Sequence, residues 1–154
     1  LISSDGEKYS PEGFEDSLTD GSKYIDQVVL HNNQDPYTTV IVVPNKEALK
    51  EYVKSSNPGI DIDSREAKEL MLKKIQDEVN SYRKGGSRAG MFPERWLPAA
   101  IIVADEPFTE QNHMVNSTMK IVRGKVEKHY ADRIEYALTP EGKNLLNDKN
   151  IASL

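Results

Sequence analysis

Apolar residues follow two different spacings along this chain, and the change from one to the other predicts strands and helices. Three runs rich in apolar and β-branched residues, at 24–30, 37–43 and 99–103, are typical of strands buried in a sheet. Elsewhere the apolar residues recur at three- and four-residue steps, as they do on one face of an amphipathic helix. The clearest such stripe consists of Val122, Val126, Tyr130, Ile134 and Ala137.

Capping residues predict where several of the helices begin. Ser10 followed by Pro11 indicates an N-cap and a first helical position for a helix that ends near Gly21. Asn45 is the predicted N-cap of a second helix, and Ser64 opens a third with a sequence that resembles a capping box. The last stretch, 139–154, is polar with spaced leucines, which fits either a short tail or a docked helix.

The first nine residues predict a β-hairpin, because Asp5-Gly6 is a turn signal between two short β-capable runs. Together the elements predict an α+β fold with a small, mainly antiparallel sheet of about three strands plus this hairpin, packed with about four to five helices. A chain of 154 residues is large enough to bury a core of its own, so we expect a single domain over 1–154.

Composition excludes several classes of protein. The formal net charge of −5 argues against a general nucleic-acid-binding protein, which needs a basic surface. No apolar run approaches the roughly 20 residues of a membrane-spanning helix, and the first residues carry no secretory pattern. The chain has no cysteine, and His31, His113 and His129 have no spacing that indicates a metal site. We therefore expect a cytoplasmic protein without a metal site, with peripheral association with a membrane left open.

Lys120 is the residue that the pattern singles out for chemistry. It lies on the short connection that leads into the helical stripe, just behind the small hydroxylated residues Ser117 and Thr118. A lysine held in this way can deliver its ammonium as a point charge to an anionic group. The local sequence equally fits a lysine that only solvates the surface, because a lone lysine motif is weak.

Three segments around Lys120 carry a family pattern. They are Glu106-Pro107-Phe108-Thr109-Glu110-Gln111-Asn112, Ser117-Thr118-Met119-Lys120-Ile121-Val122-Arg123 and Lys125-Val126-Glu127-Lys128-His129-Tyr130-Ala131-Asp132. They resemble the C-terminal part of acyl-CoA synthetases, in particular the long-chain fatty acid–CoA ligase branch of the adenylate-forming, AMP-binding superfamily. This sequence departs from that branch at His113 and Asn116, where glycine and proline are common.

The resemblance extends to the start of the chain and is clearest over residues 1–18 and 97–136. Residues 6–15, which begin Gly6-Glu7-Lys8-Tyr9, are similar to the loop that opens the mobile C-terminal domain of these enzymes. In the family this loop follows the hinge and its glycine lies close to the pantetheine tunnel. The resemblance therefore implies that Gly6, Glu7, Lys8 and Tyr9 bind CoA through its pantetheine arm.

The resemblance also implies a two-step reaction for the enzyme to which such a lid domain belongs. A fatty-acid carboxylate attacks the α-phosphate of ATP to give acyl-adenylate and pyrophosphate, and the CoA thiol then displaces AMP. Lys120 is expected to contact the acyl carboxylate and ATP in the first step, and Arg123 is a candidate phosphate contact. One preorganised charge in a closed site can lower the barrier by about 3–4 kcal/mol.

The expected partners follow from the same resemblance, and two other functions stay open. We expect ATP, CoA and Mg²⁺ to act in the full-length enzyme, with an N-terminal AMP-binding domain outside this sequence and none of them bound to the isolated chain. One alternative is a non-catalytic α+β interaction module, in which Lys120 and Gly6 share no partner surface. The other is the lid of an enzyme that adenylates aryl or amino acids and passes them to a carrier protein.

Overall fold

A three-stranded β-sheet forms the centre of the molecule, for which a computed structural model describes all 154 residues. The strands are β1 (Ile25–His31), β2 (Thr39–Pro44) and β3 (Ala100–Val103), side by side in the order β1-β2-β3. β1 pairs with β2 antiparallel, whereas β2 pairs with β3 parallel. The α+β class and the three strands are confirmed, and the sheet is mixed because a helical crossover joins β2 to β3.

Seven α-helices surround the sheet, more than the four to five expected. The additional ones arise because the stripe after Lys120 breaks at Tyr130 into two helices and because the tail folds into two short ones. The helices are α1 (Glu12–Gly21), α2 (Lys46–Ser56), α3 (Arg65–Val79), α4 (Arg123–His129), α5 (Ala131–Ala137), α6 (Pro140–Lys143) and α7 (Asp148–Ala152).

Helices cover both faces of the sheet, which explains why its strands are apolar runs rather than alternating ones. On β2, Val40 and Val42 belong to a core cluster of 19 buried residues shared with α1, α2 and α3. Ile41 and Val43 belong to a second cluster of 13 buried residues shared with α4 and α5. The sheet thus separates two cores, and the helix that follows Lys120 packs in the smaller one.

Two of the three predicted helix caps are confirmed and one is wrong. The side chain of Asn45 accepts a hydrogen bond from the amide of Ala48, and that of Ser64 accepts one from Ala67. At α1 the cap position is taken by Pro11 itself, and no side chain caps the helix. The hydroxyl of Ser10 is used elsewhere, because it donates to the carboxylate of Glu12.

The tail docks as helices against the outer edge of β3. Asn150 in α7 is 1% exposed, and its side chain bonds to the strand backbone as a neighbouring strand would. Its Oδ1 accepts from the amide of Val103 at 3.0 Å, and its Nδ2 donates to the carbonyl of Ile101 at 3.0 Å. Arg133 of α5 donates to the same Oδ1 at 2.9 Å, so the tail is held from two sides.

The predicted N-terminal hairpin is present in a minimal form. Ile2 and Lys8 make one antiparallel bridge around the Asp5-Gly6 turn, and Ile2 also bridges to Asn33 in parallel. None of the helices combines the length and the apolar composition that crossing a bilayer would require.

Candidate active-site surfaces

Lys120 lies at the end of a tight five-residue loop whose shape is set by Asn116. The amide of Asn116 donates to the carbonyl of Lys120 at 2.9 Å, which closes the loop. The side-chain oxygen of Asn116 accepts hydrogen bonds from the amides of Thr118 and Lys120, each at 3.0 Å. The loop is therefore ordered by its own first residue, as in turns that begin with asparagine.

Both arms of this loop are fixed to the body of the domain. Val115 and Ile121 form an antiparallel bridge, and the amide of Val122 donates to the carbonyl of Met114 at 2.7 Å. Met114 and Val115 are buried in the smaller core. The prediction that Lys120 stands on a short connection before a helix is confirmed, since α4 begins at Arg123.

The Lys120 side chain is exposed and has no ion-pair partner within 4.0 Å. Its neighbour Met119 is 75% exposed and has φ +64, a left-handed conformation that is uncommon for a residue other than glycine. Both residues line an open groove of about 680 Å³ between their loop, α1 and the start of β1. The loop thus presents an apolar and a cationic side chain together.

The groove beside Lys120 is acidic on this domain. Its lining contains four carboxylates but only two cationic groups, Lys120 and Arg123. The four are Glu12, Glu15, Asp16 and Asp26. Because like charges repel, this surface does not attract a nucleoside triphosphate unless cations outside this groove offset its carboxylates.

Arg123 is engaged inside the domain. Its Nη2 and Nη1 donate to the two oxygens of Glu15 at 2.7 and 2.9 Å, and Nη1 also donates to the carbonyl of Leu30 at 3.0 Å. The hydrogen bonds with Glu15 raise the pKa of Arg123 above its usual value. Its Nε and one Nη2 hydrogen remain for a ligand, so the predicted phosphate contact stays a prediction.

The Gly6 turn stands in the left-handed conformation that glycine adopts most easily. Gly6 has φ +86, and no atom lies within 4 Å of the position a Cβ would take. The carboxylate of Asp5 and the hydroxyl of Ser3 accept from the amide of Glu7 at 3.1 and 3.2 Å. The hydrogen bond from Ser3, with that amide, lowers the pKa of Asp5.

The four residues predicted to bind pantetheine divide into two pairs. Gly6 and Lys8 are exposed, whereas the side chains of Glu7 and Tyr9 are engaged internally. Glu7 pairs with Arg95 at 2.6 Å, and this hydrogen bond lowers the pKa of Glu7. Tyr9 is 7% exposed and stacks on Trp96 with ring centroids 5.2 Å apart. The contact of these four residues with pantetheine stays a prediction. The observed contacts of Glu7 and Tyr9 fix the base of the loop.

The two predicted surfaces are formed by separate sets of residues. Lys8 and Tyr9 line a shallow depression of about 450 Å³ together with Leu1, Ile2 and Ser10. This depression has no lining residue in common with the groove of Lys120. Each surface can therefore be altered by mutation without changing the lining of the other.

Two residues of the Lys120 region escaped the interpretation of the sequence. Asn116 was noted only as a departure from proline, although asparagine before Ser117 and Thr118 is a turn signal that could have indicated its role. Glu15 ends the 6–15 segment that resembles the family, but its pairing with Arg123 had no signal, because Arg123 lies 108 residues further along the chain.

The family of the chain follows from comparison with known sequences. A family model described as "AMP-binding enzyme C-terminal domain" matches residues 1–141. The chain belongs to this family of C-terminal domains from AMP-binding, adenylate-forming enzymes. The resemblance found in the residues around Gly6 and Lys120 is thereby confirmed at the level of the family.

Curated relatives of the chain are acyl-activating enzymes. Probable acyl-activating enzyme 16, chloroplastic, of Arabidopsis thaliana is 30% identical over 136 residues, which is 88% of this chain and 18% of that protein. Fatty acyl-CoA synthetase B of Dictyostelium discoideum is 25% identical over 86% of this chain and 19% of its own length. The chain thus spans less than a fifth of the length of these relatives.

A solved structure with the same fold is the adenylation domain of a carboxylate reductase from Mycobacterium chelonae. It superimposes with a TM-score of 0.62 at 25% identity over 88% of this chain and 18% of that one. The corresponding domain from Segniliparus rugosus, in complex with AMP and a carboxylic acid, gives a TM-score of 0.60 at 23% identity over 88% of this chain and 19% of that one. This second likeness concerns the fold alone.

Proposed function

We propose that this chain is the C-terminal lid of an ATP-dependent acyl-CoA ligase that activates a fatty acid. The observation that carries the proposal is the presentation of Lys120. Its ammonium is exposed at the end of a loop ordered by Asn116 and braced by the Val115–Ile121 bridge. An ordered loop keeps the charge ready for a reacting group without a large loss of conformational freedom on closure.

Lys120 acts in the first step of the proposed reaction. An oxygen of the fatty-acid carboxylate forms a bond to the α-phosphorus of ATP, and the bond to the pyrophosphate oxygen breaks. Negative charge around the α-phosphate is neutralised by the ammonium of Lys120, with Arg123 as a candidate second contact. ATP and Mg²⁺ are bound mainly by an N-terminal AMP-binding domain, in keeping with the acidic lining on this side of the groove.

The Gly6 loop acts in the second step, after the lid has turned the surface that carries this loop toward the same partner domain. The CoA sulfur forms a bond to the acyl carbon, and the bond between that carbon and the AMP oxygen breaks. Gly6 and Lys8 face the pantetheine arm, while Glu7 and Tyr9 hold the loop through Arg95 and Trp96. The separate residue sets that line the Lys120 groove and the depression at Lys8 and Tyr9 support this division of roles.

Half-reaction assays on the enzyme that contains this chain test the first step. Lys120→Ala is expected to lower acid-dependent pyrophosphate–ATP exchange by at least about two orders of magnitude, the scale of one lost preorganised charge. Conversion of supplied acyl-adenylate and CoA to thioester should continue. Lys125→Ala is the matched control, because Lys125 is an exposed lysine in the first turn of α4. Equal loss in both lysine variants would contradict the role of Lys120.

A second pair of variants tests the Gly6 loop. Gly6→Leu should block thioester formation and leave pyrophosphate exchange intact. Because Gly6 has positive φ, any larger residue is strained there, and strain must be separated from steric exclusion of pantetheine. Gly59→Leu supplies that control, since Gly59 has φ +87 and equally open surroundings in the connection after α2. If both glycine variants lose thioester formation, strain alone explains the result.

A second candidate function is transfer of the acyl group to a carrier protein instead of CoA. It is favoured by the structural likeness to a carboxylate reductase adenylation domain and by a relative named as a long-chain-fatty-acid–[acyl-carrier-protein] ligase, 24% identical over 88% of this chain. Offering both acceptors to preformed acyl-adenylate separates the two functions. The fatty-acid substrate itself is supported by the names of the acyl-CoA synthetases among the relatives.

A further inference from the structure

Two polar clamps join helix α4 to the edge strand β1, one helical turn apart. The first is Arg123, whose guanidinium is bonded by Glu15 and by the carbonyl of Leu30. The second is Glu127, whose carboxylate pairs with His31, the residue after Leu30. Both clamps attach α4 to β1, but only the first lies next to the loop that carries Lys120.

Glu15 holds three elements at one point. One of its oxygens accepts the amide of Leu30 at 2.7 Å and also an Nη1 hydrogen of Arg123 at 2.9 Å. Its other oxygen accepts from Nη2 of Arg123 at 2.7 Å. Glu15 belongs to α1 and is only 8% exposed, so these bonds are shielded from water.

This arrangement sets the position of the residues between Lys120 and the helix. Only Ile121 and Val122 separate Lys120 from Arg123. Ile121 lies opposite Val115 in the antiparallel bridge, and the amide of Val122 donates to the carbonyl of Met114 on the other arm of the loop. A shift of Arg123 therefore moves the arm that carries Lys120. The exposed ammonium has no contact of its own that would restore its place.

We propose that Glu15 is a positioning residue for Lys120: by fixing Arg123 to the edge of β1, it sets where the ammonium meets the reacting phosphate. This inference rests on the proposed function of Lys120 in adenylation. Glu15 itself touches no substrate in this scheme. Its carboxylate is occupied by Arg123 and Leu30, so it acts only through the loop.

Glu15→Gln is the test variant, because it keeps the shape of the side chain and removes the charge that binds Arg123. Glu127→Gln is the matched control, because it weakens the other clamp on the same helix. In the enzyme that contains this chain, Glu15→Gln should lower kcat of pyrophosphate–ATP exchange about 10- to 100-fold with KM for ATP nearly unchanged, as expected for a misplaced catalytic group. Glu127→Gln should change kcat by less than about twofold.

Hydrogen exchange in the 154-residue chain gives a readout that does not depend on activity. The amides of Asn116 and Val122 form the backbone bonds that close the Lys120 loop. These two amides should exchange faster in Glu15→Gln than in Glu127→Gln. Glu15→Asp, which keeps the charge on a shorter side chain, should recover part of kcat. A mainly structural role would change the exchange rates and kcat similarly in both clamp variants.

The outcomes separate this inference from the function on which it rests. If Lys120→Ala abolishes exchange of pyrophosphate but Glu15→Gln behaves like Glu127→Gln, the positioning role is wrong and the proposed function stands. A faster reaction in Glu15→Gln would mean that a freed Arg123 binds phosphate, which also overturns the positioning role. If Lys120→Ala leaves the reaction unchanged, the proposed function fails and the positioning role fails with it.

Discussion

Replacing Asn150 by alanine should destabilise the domain far more than its place near the C-terminus suggests. The side chain is 1% exposed and makes four hydrogen bonds, to the backbone of Ile101, Val103 and Leu145 and to Arg133. Arg133 keeps a bond to Ser153 after the change, and the bond to the carbonyl of Leu145 is only partly buried. The amide of Val103 and the carbonyl of Ile101 lose their partner inside the protein.

The magnitude follows from those two buried backbone groups. Each unsatisfied group costs about 1–3 kcal/mol, so the free energy of unfolding should fall by about 3 kcal/mol. With a urea m value near about 2 kcal/mol/M for a domain of this size, the unfolding midpoint should fall by about 1.5 M. The melting temperature should fall by about 6–12 °C.

Urea titration of the 154-residue chain, followed by circular dichroism, measures this change. Asn144→Ala is the matched control, because Asn144 is an exposed asparagine of the same tail whose side chain accepts a single exposed hydrogen bond, from the amide of Leu146. It should change stability by less than about 1 kcal/mol. A midpoint for Asn150→Ala within about 0.3 M of the parent, at the same m value, would show that the tail does not clamp β3.

Three further predictions concern backbone strain, pH and activity. Met119→Gly should raise the free energy of unfolding by about 0.5–1 kcal/mol, because the relief of positive φ exceeds the added flexibility of the unfolded chain. Met91→Gly, at an exposed methionine without positive φ, should not raise the free energy of unfolding. Equal urea midpoints for the two variants would refute the strain at Met119. Burial raises the pKa of the Tyr130 hydroxyl above 10.0, so the folded state holds the hydroxyl proton more tightly than the unfolded chain does. The contribution of Tyr130 to stability is therefore present below about pH 10 and is lost as the pH rises above it. Urea midpoints from pH 8 to 11 should therefore fall more steeply for the parent chain than for Tyr130→Phe, and parallel curves would contradict this. The isolated chain should be folded and release no pyrophosphate with fatty acid and ATP, whereas release would indicate a self-sufficient enzyme.

Much of the fold could be predicted because it rests on local patterns. β-branched runs identified the three strands, and the caps at Asn45 and Ser64 are formed by groups three residues apart. The stripe from Val126 to Ile134 was visible because a helix buries positions at a fixed period. Such signals lie within a few residues of each other and need no knowledge of the tertiary structure.

The errors and omissions have two causes, a local competition for one hydroxyl and contacts between residues far apart in the sequence. Ser10 does not cap α1, because its hydroxyl bonds to Glu12 and Pro11 takes the cap position. The docking of the tail depends on Asn150 and the free edge of β3, which meet across 47 residues. Polar pairs at such separations leave no period in the sequence, so only the structure reveals them.

The identity of Lys120 as the candidate group was predicted, but its surroundings were not. The sequence indicated a lysine on a connection before a helix, and the structure adds that this connection is a five-residue loop closed by Asn116. The bonds between Glu15 and Arg123 also leave fewer Arg123 donors for a phosphate than the sequence suggested, because most of its N–H groups are bonded inside the domain.

At both outer edges of the sheet, backbone groups of the edge strands are already bonded to other parts of the chain. This limits how the domain can join another domain. At β1 the Leu30 amide and carbonyl are bonded to Glu15 and Arg123, and Ile2 bonds to the backbone that follows the strand. At β3 the two corresponding groups are bonded to Asn150. A second domain therefore cannot extend this sheet by strand addition at these points and must make contact through loops or helices. Such contacts can be broken and remade without unfolding a strand, which fits the proposal that this domain presents first the Lys120 loop and then the Gly6 loop to one neighbour.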